Sequence, residues 1–382
     1  VQAPHVEGFA YGYPVRIRGA LETPPDRVDF SYRDYLARQG VYSIITYSQV
    51  NITGERKGSP IRATLFDFRD QVDALIHRML EDPQASLLAG ILLGIESGIS
   101  PDVREAFNAT GTAHIIAISG ANMAVLTGLF LSLFRRVLPE RWAAGLTIAV
   151  IAVYTAFVGG NASVVRAAIM ATLGLVASML GRQAWGLASL SFAGLLMTLI
   201  HPLALWDAGF QLSFFATLGL ILYVDPLQKL LSKALGAVLA AERARQAIAL
   251  LSDAIIVTVA AQISTSVWIA YTFGRFSPLS LPANLLIVPV QPVIMTLGGL
   301  SVLLGTIFYP LGQVFARASW LFLSYTLVVV RFFAALPLAS VAITLSPAAV
   351  VTLYLLLLGV TVLIQQPADR RDEILATWRQ SG

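Results

Sequence analysis

The stretch VAITLSPAAVVTLYLLLLGVTVLI, Val341–Ile364, contains no Asp, Glu, Lys or Arg. A helix crosses a bilayer with about 20 apolar residues, so this run is long enough to span one. Ala318–Leu336 reads the same way, with Arg331 its only charge. The whole chain agrees: of 382 residues, 56% are hydrophobic and 13% charged, and the mean hydropathy is +0.72. An ordinary soluble domain is about 25% charged. Half that charge cannot cover a water-facing surface of this size. A large soluble core is excluded because the apolar residues come in runs.

Working outward from that stretch, the hydropathy pattern predicts an all-α polytopic membrane protein with about nine spans. They are Thr112–Leu133, Trp142–Val158, Val164–Leu180, Trp185–Ile200, Gly209–Val224, Ala254–Phe273, Ala283–Phe308, Gly312–Phe333 and Val341–Ile364. Pro289 and Pro292 make the seventh a broken or re-entrant segment. Pro226–Leu250, with Lys229, Lys233, Arg243 and Arg245, reads as a separate basic amphipathic helix on a membrane face. Four regions follow: an external β piece (1–57), an amphipathic helix with a re-entrant or linker segment (58–110), the transmembrane part (111–366) and a polar tail (367–382).

In the β piece, Tyr13–Leu21 alternates Val15 and Ile17 with Arg16 and Arg18, and Val41–Ile52 is rich in β-branched residues. So few strands do not make an independent domain, so this piece reads as the end of a small barrel that began earlier. Leu65, Phe68, Val72, Leu75, Ile76, Met79 and Leu80 form a helical stripe. Charges beside that stripe place the helix on the membrane surface or on the β piece. Ser86–Leu93 is apolar but too short to span.

Lys and Arg gather in alternate loops, at Arg135, Arg136 and Arg141, at Arg182, at Lys229–Arg245 and at Arg370–Arg379. Positive loops stay in the cytoplasm, which puts the β piece outside. Arg275 breaks the rule, and a seventh segment that crossed twice would move the C-terminus to the other side. The absence of cysteine rules out disulfides, thiol nucleophiles and Cys-ligated zinc. The net charge of +4 does not by itself point to nucleic acid, because topology also collects Lys and Arg.

Polar residues inside apolar runs mark sites, because each is costly in hydrocarbon unless it faces a cavity or a partner. His114, Ser119 and Asn122 share the first span, with Gly120, Ala124 and Gly128 as a ridge for close helix contact. Ser119 and Asn122 read equally as interhelical glue. Arg166 sits a few residues into the third span. It reads as a snorkelling side chain or, on a side that should be poor in positive charge, as a cavity residue. Asp207 and Gln211 share a helix face. Asp207 serves either as an N-cap or as the partner of Arg166. Asn284 precedes the prolines of the broken segment, a kind of segment that lines transport paths.

These segments, in this order, resemble the ComEC competence-protein family. The resemblance rests on Gly111, His114, Ala117, Ile118, Ser119 and Gly120; on Ser163, Val164, Arg166, Ala167 and Met170; and on Asp207–Phe214 without a gap. It extends to Ala283-Asn284-Leu285-Leu286 with Pro289, to Leu92–Gly98, and to Tyr32–Gly40 at the exit of an OB-type barrel. The family usually has a histidine shortly after the Ser-Gly, where this chain has Ala121-Asn122. The resemblance implies a passage for single-stranded DNA across the bacterial cytoplasmic membrane in natural transformation. It also implies a cytoplasmic motor and external DNA-receptor proteins as partners. The family's early barrel strands and its metallo-β-lactamase-like domain are expected to lie outside this chain. No Gly-x-x-x-x-Gly-Lys-Ser/Thr loop supplies energy.

His114, Ser119, Asn122, Arg166, Asp207, Gln211 and Asn284 are then the expected DNA path. Arg16, Arg18, Tyr32 and Arg33 are the external DNA contacts, with Phe30, Tyr32 or Tyr35 as stacking platforms or as barrel packing. No cofactor, metal or enzymatic activity is expected, since His5, His77, His114 and His201 form no metal cluster. Two rivals remain. A secondary transporter of a small anionic solute would use the broken helix and the intramembrane charges. A serine protease would need Ser119 and His114, which stand about 140° apart on one helix.

Overall fold

A run of apolar residues in lipid leaves its backbone one way to satisfy its own polar groups, which is a helix. The computed structural model, which describes residues 10–25, 33, 36–37, 40–45, 49–236 and 242–365, is accordingly mostly helical. Two short helices follow α1 (Pro60–Met79): α2 (Gln84–Leu93) and α3 (Pro101–Ala109). The apolar series is α4 (Gly120–Phe134), α5 (Glu140–Phe157), α6 (Ala162–Met179), α7 (Gly186–Ile200), α8 (Ala208–Gly236) and α9 (Glu242–Phe273). It continues with α10 (Ser280–Ile287), α11 (Gln291–Ile307), α12 (Tyr309–Ala334) and α13 (Pro347–Gln365). Among the described residues, seven helical segments are long and apolar enough to cross a membrane. α5 and α7 fill the two remaining expected positions. Leu199, Ile307, Val314, Val328, Leu355 and Leu356 turn outward, as lipid-facing side chains do. The chain is a polytopic helical membrane protein with a small N-terminal β piece.

That piece holds β1 (Val15–Arg18), β2 (Leu21–Glu22), β3 (Ile44–Ile45) and β4 (Gln49–Ile52). β1 pairs antiparallel with β4, setting Arg16 opposite Asn51 and Arg18 opposite Gln49. Alternation therefore gathers these four polar residues on one face of the ribbon. β2 pairs with β3. Arg56 ties the piece to α1: it grips Asp67 at 2.5 and 2.8 Å and donates from Nε to the Tyr11 carbonyl at 2.5 Å. The guanidinium holds the Asp67 carboxyl below its usual range.

The interior has two cores. Val72, Ile76 and Met79 of α1 and residues 85–93 of α2 are buried against α10–α12. The α1 helix packs into the bundle through Val72, Ile76 and Met79, a contact the sequence did not predict, while Arg56 and Tyr11 of the β piece meet its Asp67 and Phe66; α2 is wrapped by protein all round. The second core joins α4, α5 and α6 around Met123, Ile151 and Val164. Two further expectations are corrected. Pro226 lies inside α8, and the basic stretch prolongs α8 and α9 rather than forming a separate helix. The run from Val341 begins with β6 (Val341–Ala342), which pairs with β5 (Arg275–Phe276), and its helix starts only at Pro347.

That small β pairing sets the crossing parity. It holds the chain before α10 and the chain after α12 on one side, so the broken segment and α12 together cross an even number of times. A re-entrant seventh segment followed by a crossing α12 is thereby excluded. Gly111 packs on that same end: a Cβ there would lie 2.9 Å from Ser280 Cβ, the arrangement that one crossing by each of α4–α9 would give. Arg275, the cation that broke the loop rule, pairs with Glu105 at 3.3 Å.

Candidate functional site

The first motif does not lie on one helix. Thr110 and Thr112 are fully buried, with hydroxyls 2.7 Å apart, and Gly111 between them takes a positive φ of 66°. Ala113–Ile115 form a single 3-10 turn, the chain is extended at Ser119, and α4 begins at Gly120. A Ser-Gly pair favours such a break, since Ser competes for backbone hydrogen bonds and Gly loses most entropy in a helix. The expected placement of His114, Ser119 and Asn122 within one continuous helix is therefore corrected to a turn, a helix start and a first turn, inside a segment, Ala113–Phe134, that is still long and apolar enough to span.

Side chains take the Ile118 carbonyl at this break and the last carbonyls of α2 beside it. Ser163 Oγ donates to the Ile118 carbonyl at 3.1 Å. Asn122 Nδ2 reaches the Ile91 carbonyl at 3.4 Å, and Tyr154 donates to the Leu92 carbonyl at 2.8 Å. Ser119 Oγ donates to Asn122 Oδ1 at 3.2 Å. Among the described residues Ser119 makes no hydrogen bond to His114, so no nucleophile–base pair is assembled. His114 is exposed. The small-residue ridge packs only at Gly120; a Cβ on Gly128 would meet nothing within 4 Å.

The second motif supplies the central charge. Arg166 is 5% exposed. Its Nη1 donates to Ser213 Oγ, its Nη2 lies 3.0 Å from where a Cβ on Gly120 would stand, and its Nε has no partner. Asp207 does not pair with it: Asp207 Oδ1 accepts the Phe210 N–H at 2.7 Å and caps α8. The expected ion pair is thus corrected, because the carboxylate is taken by the helix it begins. Gln211 donates to the Leu205 carbonyl at 2.7 Å and accepts from Trp268 Nε1 at 2.9 Å. Three motifs distant in sequence therefore meet at Arg166, which touches Gly120 of the first and Ser213 of the third. Sequence reasoning passed over Ser213 because the search for a partner looked for an acid. Its signal was present, inside the gapless Asp207–Phe214 match.

Asn284 lies elsewhere. It is buried on α10, one turn after Ser280, with no partner on its Oδ1. Gln262 donates to Ser280 Oγ at 2.9 Å. Outside the bundle, Arg16, Arg18 and Arg33 are exposed. Phe30, Tyr32 and Tyr35 lie outside the described residues. A cavity of about 380 Å³ opens between α6, α7 and the start of α8. Val165, Ile169, Met197 and Trp206 line it, with His201 and Asp207 as its polar members and no Lys or Arg. Neither Arg166 nor His114 lines it, so the cavity does not unite the expected path residues.

A family model described as Competence protein matches residues 91–367. ComE operon protein 3 of Bacillus subtilis (strain 168) is 25% identical over 315 residues, 81% of this chain and 38% of that protein. An uncharacterized protein of Aquifex aeolicus (strain VF5) is 32% identical over 122 residues, 32% of this chain and 29% of its own length. The chain spans well under half the length of either curated relative. No solved structure matches.

Proposed function

This chain belongs to the Competence protein family, and from that premise we propose that it conducts single-stranded DNA across the bacterial cytoplasmic membrane during natural transformation. The observation that carries the reading is the meeting of three family motifs around one buried guanidinium. A strand with a charge on each nucleotide needs cations, dipoles and polar groups in place of its hydration. Arg166 and the start of α4 beside it supply a cation and backbone dipoles. The β piece lies on the external side, and the exposed Arg16 and Arg18 face of its ribbon meets the incoming strand. A cytoplasmic motor and an external receptor deliver energy and DNA, and the segment conducts without cleaving.

The anionic-solute rival draws no support from the cavity, whose lining offers a carboxylate and no Lys or Arg. The test is uptake of labelled DNA by cells carrying Arg166→Ala. Internalised DNA is expected to be abolished while DNA bound at the cell surface stays at the wild-type level. Wild-type internalisation by a stably inserted Arg166→Ala protein would remove Arg166 from the path.

A further inference from the structure

Arg166 is a buried charge without a counter-ion. None of the ion pairs among the described residues includes it. A guanidinium carries a fork of N–H donors, and this one has a single neutral acceptor, Ser213 Oγ, with Nε left unpartnered. Burial of an uncompensated charge is strongly unfavourable. The group beside it sharpens the imbalance. α4 begins at Gly120, and Ser119 leaves its first turn without a side-chain cap because its hydroxyl is spent on Asn122. The first N–H groups of a helix lack intrahelical acceptors and carry the positive end of its dipole. Two sources of positive charge therefore converge at Gly120, where Nη2 lies 3.0 Å from the position of an absent Cβ, and no protein anion answers them among the described residues.

We propose that Arg166 and the first turn of α4 form an oxyanion site for one phosphodiester group of the DNA strand in transit. This rests on the DNA-passage reading and adds the atom class that is gripped and the groups that grip it. A planar guanidinium and a row of backbone N–H groups match the oxygens of a phosphate. Ser213 holds the guanidinium in place while leaving its other donors to the phosphate. One cation and one helix end make a shallow site, as repeated release requires. Gly120 is needed because a side chain there would crowd Nη2.

A lipid phosphate offers the same chemistry, so the test separates the two sources. The full chain in dodecyl maltoside is heated with dimethyl phosphate, a phosphodiester monoanion, or with neutral trimethyl phosphate. Dimethyl phosphate is expected to raise Tm in a concentration-dependent way and trimethyl phosphate is not. Arg166→Gln is expected to abolish the rise and, because it removes an unpaired buried charge, to raise Tm in anion-free buffer. An arginine that served packing alone would lower it. Gly120→Ala, with Arg166 in place, is expected to weaken the response about tenfold; this variant carries the test if Arg166→Gln does not fold. An unchanged response in either folded variant overturns the site. Phosphatidylglycerol that saturates the response at equimolar amounts assigns it to lipid and overturns the DNA phosphate. A response lost in Arg166→Gln with normal DNA uptake in cells overturns the assignment of the site to the DNA strand and leaves the passage reading standing.

Discussion

Ser213 and Asp207, less than two turns apart, do different work for α8. Asp207 caps it, so Asp207→Ala is expected to cost about 1 kcal/mol of stability. Asp207→Asn, which caps as well, is expected to cost almost nothing and to leave DNA uptake unchanged. Thermal unfolding and uptake of the two variants check this; loss of uptake in a stable Asp207→Asn protein would give the carboxylate a part in the path. Ser213→Ala takes away the one hydrogen bond that Arg166 makes among the described residues, and uptake is expected to fall, by less than in Arg166→Ala. At this scale the sequence motifs led to Arg166 and Asp207 and misassigned the partner. Pairing by sign sees a carboxylate near a guanidinium. It does not see that a helix beginning at Ala208 claims that carboxylate first, or that a hydroxyl on the same helix faces the charge.

Helix contacts are decided by backbone approach. A Cβ on Gly219 would collide with the Ala260 carbonyl and with Ser264 Oγ, so Gly219→Ala is expected to force α8 and α9 apart. The loss is about 1–3 kcal/mol, read as a lowered Tm in detergent, while Gly128→Ala, facing open space, serves as the neutral control. The link between the β piece and α1 depends on pH. Asp67 has its folded pKa depressed by Arg56, so its contribution is complete at neutral pH and disappears as pH falls through the lower end of the carboxylate range. Hydrogen exchange of residues 11–14 is expected to quicken there in the wild type, and to be fast at every pH in Arg56→Gln. The helices were legible as apolar runs, but α4, α8, α9 and α13 each have one end six or more residues from the expected one. The failures share a cause: hydropathy does not read geometry. Val341–Ala342 is as apolar as the helix after it yet pairs with Arg275–Phe276. Ala113–Phe134 is apolar throughout yet breaks before Gly120.

Over the whole molecule the same facts fix which loops share a side. With one crossing by each of α4–α9, residues 160, 204, 276 and 340 share one side and residues 138 and 183 the other. The chain has no cysteine, so single cysteines at these positions report without background. A membrane-impermeant maleimide added to intact cells is expected to label the first set and spare the second; mixed labelling within the first set would break the parity. Loop charge alone already suggested this order, but it could not settle the broken segment, because a proline pair looks the same in a bent span and in a re-entrant one. Only the pairing of Arg275–Phe276 with Val341–Ala342 separates them. The central claim is that the strand passes the break before α4. Ala121, exposed in the first turn of that helix, tests it most directly as a single cysteine labelled from outside with a charged methanethiosulfonate. The account predicts that a DNA strand arrested in transit protects Cys introduced by Ala121→Cys, and that labelling it beforehand blocks uptake. Equal labelling with and without the arrested strand, together with undiminished uptake after labelling, would contradict it.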